Sequence, residues 1–194
     1  LKRMKSEKDF FLKFNKNYKD PKKTFIVKRG RINYDKKLLA KIIRIKPDYI
    51  VSYGCGIIEK HVFKKFNNKF INVHLGLSPY YRGSGTNFWP FVNKQLQFIG
   101  STFMKIDEGV DTGPIIHQIR ARIFKNDNLH QIGNRLIYDT ASELVKLLKS
   151  KKKLITKITK ITNKTKINLY YKKKDFSDKS VNAANKNIKN NLIY

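Results

Sequence analysis

Apolar residues recur along the chain at the two spacings that distinguish helices from strands. From Asp35 to Ile45 they return at helical spacing, which predicts an amphipathic helix that ends before Pro47. A second helix is predicted over residues 59–66, and a longer amphipathic helix from about 127 to 148. Apolar runs predict strands at residues 24–28, 49–53, 69–73, 98–106 and 115–123.

Strands and helices alternate at short spacing in the first part of the chain. This alternation is typical of an α/β fold with a mostly parallel sheet. The run from Tyr49 to Tyr53 is apolar enough to predict a strand buried on both faces. In such sheets, ligands bind beyond the carboxyl ends of the strands. Two strand ends are therefore candidate binding regions, residues 54–58 and residues 72–85.

Positive charge is abundant but unevenly distributed. The 194 residues include 43 Lys and Arg against 14 Asp and Glu, a formal net charge of +29. Residues 1–46 carry 17 basic and 4 acidic side chains, and residues 149–194 carry 14 and 2. Lysine outnumbers arginine by 35 to 8, a bias typical of AT-rich genomes, whereas specific phosphate contacts favour arginine. Nucleic acid is therefore an open but disfavoured partner.

The sequence also restricts the cellular compartment. No apolar run reaches the ~18 residues of a membrane-spanning helix, and no signal-peptide pattern opens the chain. Cys55 is the one cysteine, which excludes an internal disulfide and a multi-cysteine zinc site. We therefore expect a cytoplasmic protein without a membrane span.

A change in composition after Leu148 divides the chain. It predicts one main domain over residues 1–148 and a short basic C-terminal extension over residues 149–194, with a short edge strand at 168–171. The chain begins at Leu1, and no glycine-rich turn follows a first strand. We therefore expect that an N-terminal part of the domain is missing.

The segment from Asn72 to Gly83 has the polar side chains best suited to catalysis. Asn72 and His74 follow at i and i+2 on one face of an extended chain. Acyl transfer to an amine requires a donor that stabilises the carbonyl oxygen and a group that transfers the proton of the attacking nitrogen. An amide beside an imidazole supplies both. The loop from Asp107 to Gly113 adds carboxylates that can orient the ring. The alternative is a structural, hydrogen-bonded histidine.

Other features have two interpretations each. The segment 83–86 either binds an anion or is a tight turn in which Thr86 or Asn87 caps a helix, and the turn is favoured. Phe88 and Trp89 either stack on a ligand or pack in the core, and the core is favoured. Cys55 has no base to activate it and is not expected to be a nucleophile. The remaining histidines have no metal-ligand spacing and are expected to be structural or surface residues: His61, His117 and His130.

Three linked motifs resemble those of the folate-dependent formyltransferases, which include the glycinamide ribonucleotide, methionyl-tRNA and sugar-nucleotide N-formyltransferases. In chain order they are Asn72-x-His74, Ser78-Pro79-x-x-Arg82-Gly83 and Asp107-x-Gly109-x-Asp111-Thr112-Gly113-x-Ile115-Ile116-x-Gln118. The resemblance covers roughly residues 22–148. Two positions depart from the pattern, because Leu75 and Gly76 stand where the family has proline and serine.

The resemblance implies a Rossmann-like domain that uses 10-formyltetrahydrofolate as co-substrate and needs no metal. Asn72 would polarise the formyl oxygen, and His74 would stabilise the tetrahedral intermediate and assist proton transfer. Asp111 would hold His74 or a water and collect the proton of the amine. Arg82 and Gly83 are the predicted acceptor contacts. The folate would lie between two walls, Cys55, Gly56 and Ile57 on one side and Asp107, Glu108, Gly109 and Val110 on the other.

The acceptor is predicted to be a small-molecule primary amine, with an amino sugar on a nucleotide carrier favoured. Methionyl-tRNA is an alternative, because Arg82 and Gly83 resemble the tRNA enzyme. However, the 46 residues after Leu148 have too little apolar material for that enzyme's C-terminal barrel, and residues 170–176 resemble the tails of smaller sugar-type enzymes. A further alternative is a catalytically silent basic module that binds polyanions. The sequence does not predict an oligomeric state.

Overall fold

The computed structural model describes residues 2–15, 24–66, 69–150 and 167–189 of the chain. Its helices are α1 (Lys2–Asn15), α2 (Lys36–Ile45), α3 (Lys60–Phe63), α4 (Trp89–Val92), α5 (Leu129–Lys149) and α6 (Asp178–Lys189). Its strands are β1 (Ile50–Tyr53), β2 (Phe70–His74), β3 (Tyr81–Gly83), β4 (Gly100–Lys105), β5 (Ile115–Arg120) and β6 (Leu169–Tyr171). Short 3₁₀ turns occur at Arg31–Asn33, Lys64–Phe66, Leu96–Phe98 and Lys173–Asp175. Apart from residues 24–28, each predicted helix and strand is confirmed to within a few residues.

A four-stranded sheet in the order β1-β2-β4-β5 forms the centre of the described chain. β1 and β2 are parallel, whereas β4 pairs antiparallel with both β2 and β5. The α/β class is confirmed, but the expectation of a mostly parallel sheet is wrong for the described strands. Residues 106–114, the 106–114 loop, are too few for the crossover of about a dozen residues that a parallel pair needs. The chain therefore returns from β4 to β5 as a hairpin.

Two details of the strand predictions are wrong. Residues 24–28 have no regular secondary structure, and the side chain of Ile26 is almost fully exposed, at 97%. β1 is not buried on both faces, since Val51 and Tyr53 are 39% and 49% exposed. β1 lies at the edge of the described sheet, where β2 is its neighbour. An apolar run alone thus does not reveal where in a sheet its strand lies.

Side-chain caps fix the starts of α2 and α5. The Asp35 carboxylate accepts a hydrogen bond from the Leu38 N–H at 2.9 Å, directly before α2. Asn128 and Gln131 form a reciprocal capping box at the start of α5, so this helix begins slightly later than predicted. None of the helices in the described part of the chain is long and apolar enough to cross a membrane.

α1 is a helix that the apolar pattern does not predict, because most of its residues are charged or polar. It packs along α5. The Phe14 ring stacks on Tyr138 with centroids 4.7 Å apart, and the Asn134 amide donates to the Ser6 carbonyl at 3.1 Å. These contacts tie the beginning of the chain to the helix that flanks the sheet.

Residues 167–189 of the extension pack onto the domain. β6 pairs parallel with β3, which confirms the predicted short strand near residue 170. α6, which the sequence pattern does not predict, lies along α4. Here the Asn187 amide donates to the carbonyls of Phe91 and Val92, both at 3.0 Å. Ala184 of α6 is fully buried in the same core cluster as Phe91.

Two glycines, Gly83 at the end of β3 and Gly85 in the turn that follows, make room for the extension. A Cβ at Gly83 would overlap the Tyr171 carbonyl, and one at Gly85 would overlap the Phe176 ring. Gly85 also has a φ of +66°, in the left-handed region that favours glycine. Trp89 stacks on Tyr171 with ring centroids 4.1 Å apart. Trp89 therefore packs in the core, as favoured, and the glycines permit the close approach.

Residues 83–86 include a turn and do not cap α4. The N-cap residue of α4 is Phe88, without a side-chain cap, so the predicted capping by Thr86 or Asn87 is wrong. The Thr86 hydroxyl instead donates to the carbonyl of Leu75. The Phe88 ring stacks on Phe176 with centroids 5.2 Å apart, which confirms core packing for this residue too.

Replacing Asn187 with alanine should destabilise the fold by about 1–3 kcal/mol, because buried carbonyls of α4 lose their donor. Asn182 lies exposed on the same helix, and Asn182→Ala should change the free energy of unfolding by no more than about 0.5 kcal/mol. Urea unfolding followed by circular dichroism measures both variants. Equal stabilities would contradict the docking of α6 on α4.

Candidate active site

Asn72 and His74 lie at the end of β2, in the interior of the sheet between β1 and β4. Their spacing predicts a shared face, and both side chains contact one carboxylate, that of Asp111. Ser52 of β1 donates from its hydroxyl to Asn72 Oδ1 at 3.0 Å. This contact fixes the orientation of the amide, because its oxygen is occupied on the β1 side and its nitrogen faces Asp111.

Asp111 connects the elements of the site. Its Oδ1 accepts from Asn72 Nδ2 at 3.2 Å, and its Oδ2 lies 3.3 Å from His74 Nδ1. The same Oδ2 accepts from the backbone N–H of Gly83 at 2.9 Å. Asp111 has a φ of +54°, a left-handed conformation that costs about 1 kcal/mol for a residue with a side chain. The contacts of its carboxylate offset that cost.

The imidazole of His74 is held at both nitrogens. Nδ1 faces Asp111, and Nε2 lies 3.0 Å from the carbonyl oxygen of Tyr81. A backbone carbonyl can only accept, so Nε2 is the donor in the hydrogen bond with Tyr81. The side chain of His74 is only 7% exposed. The ring therefore has one fixed orientation in a site with little access for water.

The structure thus brings together the three residues predicted as catalytic. An amide nitrogen carries two hydrogens, so Asn72 can donate to a second acceptor besides Asp111. A carboxylate has about four lone-pair sites, and the contacts of Asp111 fill three of them. The arrangement can therefore hold a developing negative oxygen at Asn72 and accept one more N–H at Asp111. Those are the requirements of acyl transfer to an amine.

Gly76 lies against the His74 ring, and this contact explains a departure from the family motif. A Cβ at Gly76 would come within 2.5 Å of His74 Nε2 and 2.7 Å of Thr86 Cβ. Real Cβ atoms do not approach other atoms so closely. A serine, which the resemblance places at this position, would therefore displace the ring or Thr86. Glycine at position 76 therefore leaves room for the His74 ring in this chain.

The loop after His74 is braced by polar side chains of β4 and β5. The Thr102 hydroxyl donates to the Gly76 carbonyl at 2.7 Å and accepts from the Ser78 N–H at 3.1 Å. Gln118 donates from Nε2 to the Ser78 carbonyl at 2.8 Å and to the Thr102 hydroxyl at 3.0 Å. The glutamine that ends the third motif is thus structural, since it fixes the loop that leaves His74.

The two predicted folate walls lie at the same end of the sheet. Residues 55–57 follow β1, and residues 107–110 belong to the 106–114 loop after β4. An ion pair between Lys60 and Glu108 joins them. The Lys60 hydrogen bond lowers the pKa of the Glu108 carboxyl, so it is ionised near neutral pH. Nothing in the structure tests folate contacts, and these residues stay predictions.

Each wall is held by hydrogen bonds that involve side chains. Asn33 donates to the Ile57 carbonyl at 2.9 Å, and Arg29 donates to the Cys55 carbonyl at 3.4 Å. In the 106–114 loop, Asp107 Oδ1 accepts from the Gly109 N–H at 3.1 Å and from the Thr112 hydroxyl at 2.8 Å. The walls are therefore organised without contacts to Asp111 itself.

The predicted acceptor contacts Arg82 and Gly83 lie on β3, beside Asp111. The Gly83 N–H already donates to Asp111. Arg82 donates from Nη1 to the Val110 carbonyl at 3.3 Å and from Nε to Asn168 Oδ1 at 3.0 Å. A guanidinium has five N–H donors, so Arg82 retains capacity for a further anionic partner. Both residues stay predictions as acceptor contacts.

Sequence analysis alone does not identify several groups that hold the predicted catalytic residues or the loop after His74. Ser52 and Thr102 are buried polar residues of β1 and β4, and a polar residue inside an apolar strand is a signal that could have found them. Tyr81 and Gly83 act through backbone groups, for which no side-chain signal exists. Among the described residues, no cluster of His, Cys, Asp and Glu could hold a metal ion.

Comparison with known proteins gives the family. Residues 5–148 match the formyl transferase family, and the chain belongs to that family. The resemblance of the three motifs is confirmed. With the geometry above, the match places Asn72, His74 and Asp111 inside a formyl transferase domain.

Similar proteins include enzymes with different acceptors. The methionyl-tRNA formyltransferase of Thermodesulfovibrio yellowstonii is 32% identical over 125 residues, which is 63% of this chain and 40% of that protein. The solved structure of the formyltransferase PseJ from Anoxybacillus kamchatkensis, in complex with UDP-4,6-dideoxy-4-formamido-L-AltNAc and tetrahydrofolate, is 27% identical. It covers 88% of this chain and 82% of its own, with a TM-score of 0.54.

A second solved structure is that of WlaRD, a sugar 3N-formyl transferase in the presence of dTDP and 5-N-formyl-THF. It is 30% identical, covers 66% of this chain and 46% of its own, and has a TM-score of 0.54. These likenesses confirm the Rossmann-like α/β fold. The chain spans about 40% of the length of the methionyl-tRNA formyltransferases that it matches.

Replacing Gly76 with alanine should lower the free energy of unfolding by about 1–3 kcal/mol, because the Cβ overpacks against His74 and Thr86. Gly133, inside α5, offers a matched control, because its Cβ would meet nothing closer than Asn87 Nδ2 at 3.7 Å. Gly133→Ala should be neutral or stabilising by up to about 1 kcal/mol, the helix-propensity difference. Urea unfolding compares the two, and a G76A variant as stable as G133A would contradict the close packing of Gly76.

Proposed function

We propose that this domain transfers a formyl group from 10-formyltetrahydrofolate to a primary amine. The observation that carries the proposal is the cluster in which the Asp111 carboxylate contacts both Asn72 and His74, within a formyl transferase family domain. The tetrahydrofolate and formyl-tetrahydrofolate named with PseJ and WlaRD support the choice of co-substrate.

The reaction begins when the amine nitrogen attacks the formyl carbon. A C–N bond forms, and the π electrons of the carbonyl move to its oxygen, which becomes negative. The free N–H of Asn72 donates to that oxygen. The imidazole of His74, held between Tyr81 and Asp111, stabilises the tetrahedral intermediate and assists proton transfer.

Asp111 is placed to take the proton that the attacking nitrogen must lose. Its carboxylate, with a lone pair still available, accepts that N–H directly or through a water. The intermediate then collapses when the carbon–oxygen double bond re-forms and the bond to N10 of the folate breaks. N10 takes up a proton, and tetrahydrofolate and the formamide are released. The proton count balances, because the amine loses one proton and N10 gains one.

An amino sugar on a nucleotide carrier is the acceptor that we infer. The match to PseJ, whose bound sugar is a UDP-linked formamido sugar, extends over 88% of this chain, more than the 5–148 segment alone. Methionyl-tRNA is the second candidate, because methionyl-tRNA formyltransferases are up to 39% identical over part of the domain. A catalytically silent polyanion-binding module is the third possibility that the experiment must separate.

Substituting His74 with asparagine should reduce formyl transfer by about 10²–10⁴-fold, the usual contribution of a positioned acid–base group. His130→Asn on α5 is the matched control and should keep wild-type activity. The assay follows release of tetrahydrofolate with UDP- and dTDP-linked amino sugars and, separately, with methionyl-tRNA. An unimpaired H74N enzyme would contradict the catalytic role, and turnover with methionyl-tRNA alone would overturn the sugar assignment.

A titration with a stable 10-formylfolate analogue, read by calorimetry at two salt concentrations, tests the co-substrate independently of the acceptor. We expect saturable one-to-one binding that changes little with salt. Binding to polyanions, in contrast, weakens steeply with ionic strength. A folded chain that binds tRNA in a salt-dependent way but not the folate analogue would establish the silent module and exclude the proposed enzyme.

A further inference from the structure

The extension lies directly behind the proposed catalytic residues, through β3. β6 pairs with β3 in the register Tyr81 to Leu169, Arg82 to Tyr170 and Gly83 to Tyr171. β3 in turn supplies the Tyr81 carbonyl to His74 and the Gly83 N–H to Asp111. The strand that holds both catalytic side chains is therefore itself held by the extension.

Arg82 makes a second connection, which runs through side chains. Its Nε donates to Asn168 Oδ1 at 3.0 Å, its Nη1 donates to the Val110 carbonyl at 3.3 Å, and its guanidinium lies 5.7 Å from the centroid of the Tyr170 ring. Val110 is the residue before Asp111. The planar guanidinium of Arg82, which donates on two sides, thus links the extension to the 106–114 loop.

Asp111 needs such an anchor more than its neighbours do. Its φ of +54° is a conformation that a residue with a side chain does not prefer. The first part of the 106–114 loop is held by Asp107, which accepts from Gly109 and Thr112. The Val110 carbonyl is fixed by Arg82 instead. Release of Arg82 would therefore affect Asp111 more than the 107–109 turn.

We propose that Asn168, in the C-terminal extension, is a positioning residue of the active site, which acts through Arg82 and Val110 on Asp111. The inference rests on the proposed function of His74 and Asp111. Asn168 accepts from Arg82 Nε and so directs the guanidinium toward the loop. Without this acceptor, Arg82 can rotate away from Val110. The hydrogen bond to the Val110 carbonyl, directly before Asp111, is then lost.

The test compares Asn168→Ala with Asn168→Asp, which keeps an acceptor oxygen for Arg82, in the full chain. The exposed Asn182→Ala is the control. The first readout is the ¹⁵N NMR spectrum of the histidine side chains, with His74 assigned through H74N. We expect N168A to shift the His74 resonances more than those of the other three histidines, and N168D and N182A to leave them near wild type.

The second readout is kinetic. N168A should lower kcat by about tenfold, the scale of a small misplacement of a catalytic group. Affinity for the folate analogue should stay within about twofold of wild type, because Asp107 holds the adjoining turn. N168D should restore kcat. A folded N168A chain with wild-type His74 resonances and wild-type kcat would overturn the proposal.

Two further outcomes are distinguishable. If N168A does not fold, Arg82→Lys is the second test, since lysine keeps the charge but lacks the fork that reaches both Asn168 and Val110. A folded R82K chain with unchanged His74 resonances also overturns the proposal. The NMR readout needs no turnover. A His74 shift in N168A, together with no formyl transfer by the wild-type chain, would contradict the proposed function and support the link from Asn168 to the site.

Discussion

The carboxylate of Asp111 is the group on which the arrangement of the site depends. It binds the Asn72 amide, the His74 ring and the Gly83 N–H, so β2, β3 and the 106–114 loop meet at two oxygen atoms. The side chain is only 11% exposed, and hydrogen bonds are electrostatically stronger in such a site than in water. The cluster is therefore a property of three segments held together, and no single segment contains it.

One of the two departures from the family motif, Gly76, is explained by the same packing. His74 faces Tyr81 through Nε2, and this orientation brings the ring against Gly76, where a Cβ has no room. The loop does not lose its support, because Thr102 and Gln118 hold the Gly76 and Ser78 backbone from β4 and β5. The loop after His74 is thus braced by side chains of the sheet. The residue at position 76 of this loop and the orientation of the His74 ring depend on each other.

Sequence patterns predicted only those site residues whose spacing follows the two-residue period of a strand. The spacing of Asn72 and His74 gives their shared face. The carboxylates of the 107–113 loop were candidates as well, but Asp111 was chosen among them through the family resemblance, because a loop contact leaves no periodic signal. The carbonyl of Tyr81 and the N–H of Gly83 are backbone groups that any residue could supply. Strand direction was predicted incorrectly because the apolar runs do not encode it. α6 was missed because it has few apolar positions.

Under the proposed function, the large positive charge and the site act at different stages of binding. The excess lies in the terminal segments, whereas the ionisable groups at the site are paired, Glu108 with Lys60 and Asp111 with His74. In the proposed reaction, exposed lysines would attract an anionic folate or a nucleotide-linked acceptor over about a Debye length, ~8 Å at physiological salt. That field accelerates encounter with any polyanion and does not select one. Selectivity must come from the short contacts around Asp111 and Arg82, which salt screens far less.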